Sequence, residues 1–220
     1  DFDKDWEQDL FVGSHAYTGD FGAIPDSYLL ENTDGSFQAT QSQLFKELGL
    51  VTDASWIDFN NDGWLDLVVV GEWMHPRFFQ NNEGQFVEVQ LLSRKKDKVG
   101  LWQKSIPYDF DGDGDLDLVL GNWGLNSKFK ASSEQPLRMY YQDFDENGNT
   151  ETIIATAKKG KYYPLESFDQ LAGQMVMLRK QYATYKDFAG INIEEIYGER
   201  LKAVQVFEVT ELSSVYLKNN

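Results

Sequence analysis

Apolar residues along this chain come in short runs broken by turn-forming residues. "SYLLENTDGSF" (27–37) and "RFFQNNEGQF" (77–86) each place an acidic-Gly pair, Asp34-Gly35 or Glu83-Gly84, between short apolar-aromatic runs. That is the pattern of two strands joined by a tight hairpin turn. Another kind of run follows acidic stretches: Leu118, Val119 and Leu120 come directly after five aspartates in nine positions, and Val69 and Ile154 stand in similar β-type runs. One region departs from the pattern. Between 162 and 204, Leu165, Phe168, Leu171, Met175 and Leu178 recur three or four apart, which is helical spacing. The expectation is a helical insertion over 160–205 whose apolar stripe packs into a core. No apolar run approaches the 18 or so residues of a membrane helix.

The acidic stretches are copies of one another. "DFNNDGWLDLVVVGEW" from Asp58 and "DFDGDGDLDLVLGNW" from Asp109 match almost position for position, 51 residues apart. "DFDENGNTETIIA" from Asp143 and "DFDKDWEQDLFVGSH" from Asp1 are weaker copies. The hairpin element repeats as well, with Asn32 on Asn81, Gly35 on Gly84 and Phe37 on Phe86, and "SVYLKNN" begins it again. A period of about 50 residues holding several strands, a glycine-bearing loop and a hairpin is that of a β-propeller blade. The expected fold class is therefore all-β, a single β-propeller-type domain over 1–220 with the helical insertion inside it. Without some 45 inserted residues the chain holds about three and a half blades, whereas closed propellers usually have at least four, so a section of a larger propeller is expected.

The repeated frame is D-x-[DN]-x-[DN]-G-x-x-[DE]. Carboxylates about 4 Å apart near a protein surface repel by roughly 4 kcal/mol, and a divalent cation removes that cost. Calcium takes six to eight oxygen ligands, and side chains at alternate positions of a tight loop converge on one point. The ligands read from the frame are Asp58, Asn60, Asp62, the Trp64 carbonyl and Asp66; Asp109, Asp111, Asp113, the Asp115 carbonyl and Asp117; and Asp143, Asp145, Asn147, the Asn149 carbonyl and Glu151. A glycine at the sixth position supplies the sharp turn. The copy at Asp1, Asp3, Asp5 and Asp9 has Trp6 there, so Ca2+ is expected at three sites, with a fourth only if Trp6 takes the turn. An EF-hand needs a glutamate at position twelve and a helix after it. Position twelve here is Val69, Leu120 or Ile154, so the shell closes from position nine and the loop joins two strands. A solvated acidic turn without an ion is the plainer alternative.

Charge narrows the partners. A net charge of -16 and a pI near 4.4 repel phosphate backbones and anionic membrane surfaces, so neither nucleic acid nor membrane insertion of this segment is expected. There is no cysteine, which excludes disulfides and thiolate metal sites. The two histidines, His15 and His75, are the entire complement, and no nucleophile elbow, phosphate-cradling loop or H-E-x-x-H occurs. An enzyme is not expected. Two residues after Gly13, Gly71 and Gly121 stand His15, Trp73 and Trp123, a recurring ring. These rings are candidates for a platform that stacks a sugar or anchors a protein, and packing between blades is the plainer reading.

The metal frame resembles the FG-GAP or VCBS-type repeats of integrin-α-like propellers. "GNWGLNSKF" (121–129) and "YYPLESFDQL" (162–171) are similar to segments of bacterial surface proteins, common in Bacteroidetes, related to cartilage acidic protein (ASPIC/UnbV-type). The resemblance implies a calcium-bearing propeller, secreted or anchored at the cell surface or periplasmic, used in adhesion or in binding a protein or glycan ligand. A polysaccharide-degrading lyase or hydrolase, or its accessory propeller, is the rival. Departures from the pattern are Trp6 in the first loop and, in the third unit, the missing glycine after the strand and the missing Asn-x-acidic-Gly hairpin.

Overall fold

The structure, a computed structural model, describes residues 1–92 and 98–219. It is mostly β, 40% strand and 13% helix, and divides into two compact units.

The first unit comprises Asp1–Ala16, Ile24–Ser127 and Glu211–Asn220. It opens with a three-stranded antiparallel sheet in the order β1 (Leu10–Val12), β2 (Tyr28–Thr33), β3 (Ser36–Thr40). β4 (Leu50–Ile57), β5 (Asp66–Met74), β6 (Arg77–Asn82) and β7 (Gln85–Val89) follow as an antiparallel meander. β8 (Gly100–Tyr108) and β9 (Asp117–Asn122) make the next pair, joined to the meander where Glu72 faces Leu101. The hairpins turn at Asp34-Gly35 and Glu83-Gly84, with φ positive at all four residues, as their sequence requires.

β5 shows why an unbroken apolar run is needed. Leu67 and Val69 face a core with Phe45 and Phe79, while Val68 and Val70 face a second core with Phe78 and Trp102. A strand covered on both sides has no polar face. All four side chains are at most 1% exposed, each worth about 1.5–3 kcal/mol of burial.

The second unit, Tyr17–Ala23 and Lys128–Thr210, is built on β10 (Leu137–Gln142), β11 (Glu151–Lys158) and β12 (Lys161–Pro164), with β13 (Gln205–Val209) returning to the free edge of β10. Between β12 and β13 lie α1 (Phe168–Gln174), α2 (Met177–Gln181), α3 (Tyr185–Phe188), α4 (Ile193–Tyr197) and a 3-10 turn (Gly198–Ala203). These helices are one or two turns long, and three of the four begin at a capping box: Ser167 with Gln170, Thr184 with Asp187, Asn192 with Glu195. Leu171, Met175 and Leu178 from the helically spaced stripe are fully buried with Ile153 and Ile196.

The last strand, β14 (Val215–Leu217), belongs to the first unit and pairs antiparallel with β9. The sheets are of blade type; a closed propeller is not among the features that the described residues show.

Candidate metal centre

Each acidic frame occupies the same place in the chain's architecture. Residues 58–66 join β4 to β5, 109–117 join β8 to β9, 143–151 join β10 to β11, and 1–9 lead into β1. Every loop goes left-handed twice, at its fourth and sixth residues: Lys4 and Trp6, Asn61 and Gly63, Gly112 and Gly114, Glu146 and Gly148. Trp6, at φ 77°, thus takes the turn that glycine supplies in the other loops. A non-glycine side chain there costs about 1 kcal/mol or more.

The first aspartate of the frame caps this turn. Asp58 accepts from the backbone of Asp62 (3.1 Å) and Gly63 (2.8 Å), Asp109 from Gly112 (2.7 Å) and Gly114 (3.1 Å), and Asp143 from Asn147 (3.0 Å) and Gly148 (2.8 Å). The fifth residue accepts from the backbone N–H of the seventh: Asp5 from Glu7, Asp62 from Trp64, Asp113 from Asp115, Asn147 from Asn149. The loops are therefore shaped by their own acidic side chains, which face inward along the turn. Asp115 turns its carboxylate outward to accept from Asn61 Nδ2 at 2.9 Å.

The ninth residue does a different job. Asp9, Asp66, Asp117 and Glu151 are at most 8% exposed. One oxygen of each accepts from the backbone N–H of the second residue, Phe2, Phe59, Phe110 or Phe144, at 2.8–3.2 Å. In the first three loops the other oxygen accepts from the backbone N–H of the hairpin asparagine: Asn32 to Asp9 (3.0 Å), Asn81 to Asp66 (2.8 Å), Asn219 to Asp117 (2.9 Å). The asparagine side chain then reaches onward. Asn81 Nδ2 donates to the carbonyls of Leu65 (3.0 Å) and of Phe2 in the preceding loop (2.7 Å), and Asn219 Nδ2 to that of Phe59 (3.1 Å). Each hairpin asparagine of these two repeats fastens its own loop to the one before it. The recurrence of Asn32, Asn81 and Asn219 was the only sign of this in the sequence.

Burial without a cation is costly for these carboxylates. It pushes Asp66 up to about 6, against the pull of the Asn81 and Phe59 N–H groups, and it raises Glu151 and Asp3. The 109–117 loop has a local remedy. Lys218 Nζ pairs with Asp111 and lies 3.5 Å from Asp113, and the Tyr216 hydroxyl donates to Asp117 at 2.6 Å. The lysine holds Asp111 below the usual carboxylate range, the Tyr216 hydrogen bond does the same for Asp117, and that bond pushes Tyr216 up to about 12.

Three groups of side chains bring ligand oxygens within 4.8 Å of one another: Asp1, Asp3 and Asp5; Asp109, Asp111 and Asp117; Asp143, Asp145 and Glu151. All donors are oxygen, the set that suits a hard cation such as calcium. Two further observations fit a cation. Lys218 already places positive charge at the Asp111 loop, and Asp145 Oδ1 is buried without a hydrogen-bond partner. The 58–66 loop does not gather three carboxylates in this way; there Asn60 Nδ2 donates to Asp62 at 2.8 Å.

The recurring ring is not presented uniformly. His15 is exposed, 3.4 Å from Glu72, and Trp123 is 47% exposed, but Trp73 is only 7% exposed. Trp73 is buried, so it takes no part in an exposed platform. Trp6, 93% exposed, is the most solvent-facing large apolar side chain among the described residues.

No helix among the described residues is long and apolar enough to cross a membrane. No curated protein and no solved structure matches the chain. A family model described as FG-GAP-like repeat matches residues 1–69 and again 58–120, with its two registers starting on the Asp1 and Asp58 frames. These matches span more than half of the sequence, and the chain belongs to the FG-GAP-like repeat family.

Proposed function

We propose that this chain is a non-catalytic, calcium-stabilised module of a secreted or cell-surface protein that binds a protein or glycan ligand. Its kinship would lie with bacterial surface proteins of the cartilage-acidic-protein type. The observation that carries the reading is the set of all-oxygen clusters in three of the four repeated loops, each directly ahead of a strand. Calcium would be held by Asp109, Asp111 and Asp117 with Asp113 joining them, by Asp143, Asp145 and Glu151, and by Asp1, Asp3 and Asp5; the Asp58 loop would need Asn60 to turn from Asp62. The ion supplies positive charge that lets buried carboxylates stay ionised, and its role is architectural. The residues themselves form the turn, cap it and tie it to the hairpin. Extracellular modules bind calcium with dissociation constants of about 0.1–1 mM, so such sites fill outside cells. Adhesion would use exposed rings, Trp123 and Trp6, rather than the buried Trp73.

Thermal melts in excess calcium and in chelator test the reading. At tenfold excess over the dissociation constant, each site that binds only the folded state adds roughly 1.4 kcal/mol. A melting temperature that does not move between the two conditions refutes calcium as a staple.

A further inference from the structure

Successive repeats of the first unit pack through two unlike faces. Leu67, Val69, Phe79 and Phe86, on one side of the β4–β7 meander, are buried together with Leu29 of the β1–β3 sheet. Ile57, Val68 and Phe78, on the meander's other side, are buried together with Leu118 and Leu120 of β9, and Phe59 and Leu217 pack against that core. Each junction thus joins the leading face of one repeat to the trailing face of the repeat before it.

Both kinds of face recur, uncovered, in the first and last sheets of the unit. The repeat alignment sets Leu10, Val12, Leu30 and Phe37 on the leading-face residues Leu67, Val69, Phe79 and Phe86. Leu10 faces Leu30 across the β1–β2 pair and Asn32 faces Phe37 across the β2–β3 pair, so these four side chains share one side of the sheet. Leu10, Val12 and Phe37 are exposed, and Leu30 is only partly buried. The same alignment sets Tyr108, Phe110, Val119 and Tyr216 on the trailing-face residues Ile57, Phe59, Val68 and Phe78. Val119 faces Tyr216 across the β9–β14 pair, and the Phe110 ring lies edge-on between Tyr108 (centroids 5.0 Å) and Tyr216 (5.8 Å). All three rings are exposed, Tyr108 by 61%. Contiguous apolar surface of this kind marks an interaction site.

We infer that the chain associates head to tail with a second copy of itself, the trailing face around Tyr108 and Tyr216 of one copy seated on the leading face around Leu10 and Phe37 of the next. Each exposed face is the counterpart of one that the unit already buries, and the two match opposite halves of the same kind of junction. Both are exposed in one chain, so they do not meet within it, and a second copy carries the match. The contact is heterologous, so it closes into a ring or runs on as a filament according to the rotation between copies. It rests on the packing of the repeats, not on calcium or a ligand.

Sedimentation velocity of the 220-residue protein, over a range of concentrations and in salt that screens its charge of -16, reads the association. Species larger than the monomer are expected to grow with concentration. Leu10→Lys blocks the leading face and Tyr108→Lys the trailing face, each placing a charge where the contact excludes water. Either alone is expected to raise the dissociation constant about tenfold or more. An equimolar mixture of the two variants is expected to form a dimer and nothing larger, because one intact face of each kind remains. Val12→Lys and Ile106→Lys, at exposed positions of the same two faces, carry the test should either first variant fail to fold. A wild-type protein that stays monomeric overturns the inference and leaves both faces to a different chain. So does a single variant that associates as the wild type does, or a mixture that fails to pair.

Discussion

Asn81→Ala isolates the fastening between repeats. Asn81 is fully buried, and its side chain makes three hydrogen bonds: Nδ2 to Phe2 O at 2.7 Å, Nδ2 to Leu65 O at 3.0 Å, and Oδ1 from the Gly84 N–H at 2.8 Å. Truncation leaves two carbonyls and one N–H unmatched out of reach of bulk water. Its backbone bond to Asp66 survives, so the position-nine carboxylate keeps its clasp. At about 1 kcal/mol per bond, and more where a group stays dry and unpaired, the loss comes to roughly 3–5 kcal/mol. For a chain of this size that lowers the melting temperature by roughly 6–20 °C. Urea unfolding followed by tryptophan fluorescence measures it directly. Asn219→Ala, whose side chain makes a single bond among the described residues, to Phe59 O, is the internal control and costs about 1 kcal/mol. A loss below about 1 kcal/mol for Asn81→Ala, or one no larger than for Asn219→Ala, would show that the repeats are held by apolar packing alone.

Four other substitutions address the loops. Trp6→Gly relieves a left-handed turn at a side chain that is 93% exposed, so after allowing for glycine's extra freedom when unfolded it stabilises the protein by about 0.5–1 kcal/mol in chelator; a destabilised variant refutes the strain at Trp6. Lys218→Met removes the lysine paired with Asp111 and Asp113, and calorimetric titration in low salt then gives calcium affinity at the third loop higher by a factor of about two to five; unchanged affinity refutes competition between the lysine and the ion. Asp115→Asn leaves calcium binding nearly intact because this carboxylate faces Asn61, whereas Asp113→Asn weakens it; equal effects of the two refute the assignment of the loop positions.

Much of the first unit was legible because its signals are local. The frame, its glycine and the apolar run after it lie within about a dozen residues, and the structure sets each frame between two strands, or ahead of one. The acidic-Gly hairpins likewise turn where the sequence places them. What escaped were interactions across long stretches of chain. Asn81 and Phe2 O are 79 residues apart, and Asn219 and Phe59 O are 160 apart. Nothing in the local pattern of either partner announces the bond. The ninth residue was read as closing an ion's shell, but it also orders the backbone of two other segments, because a buried carboxylate takes every N–H within reach. The ring after the blade glycine shows the limit of alignment. Position alone equated Trp73 with Trp123, yet the fold buries the first and leaves the second half exposed.

The place of β14 has a further consequence. Between β5 and β6 the chain needs only His75 and Pro76 to turn, while between β9 and β14 about 90 residues intervene, and β14 still finds its register on β9 with Asn219 clasping Asp117. Closure entropy grows only with the logarithm of the intervening length, about 0.6 kcal/mol per doubling, so lengthening this connection costs roughly 3 kcal/mol if it behaved as free coil. That is within the reach of a few backbone bonds and one asparagine. The turn between second and third blade strands is thus a splice point: a segment with its own core can be grafted there, and the host repeat keeps its pairing. New recognition chemistry can enter such a protein by this route without disturbing the acidic loops that shape it.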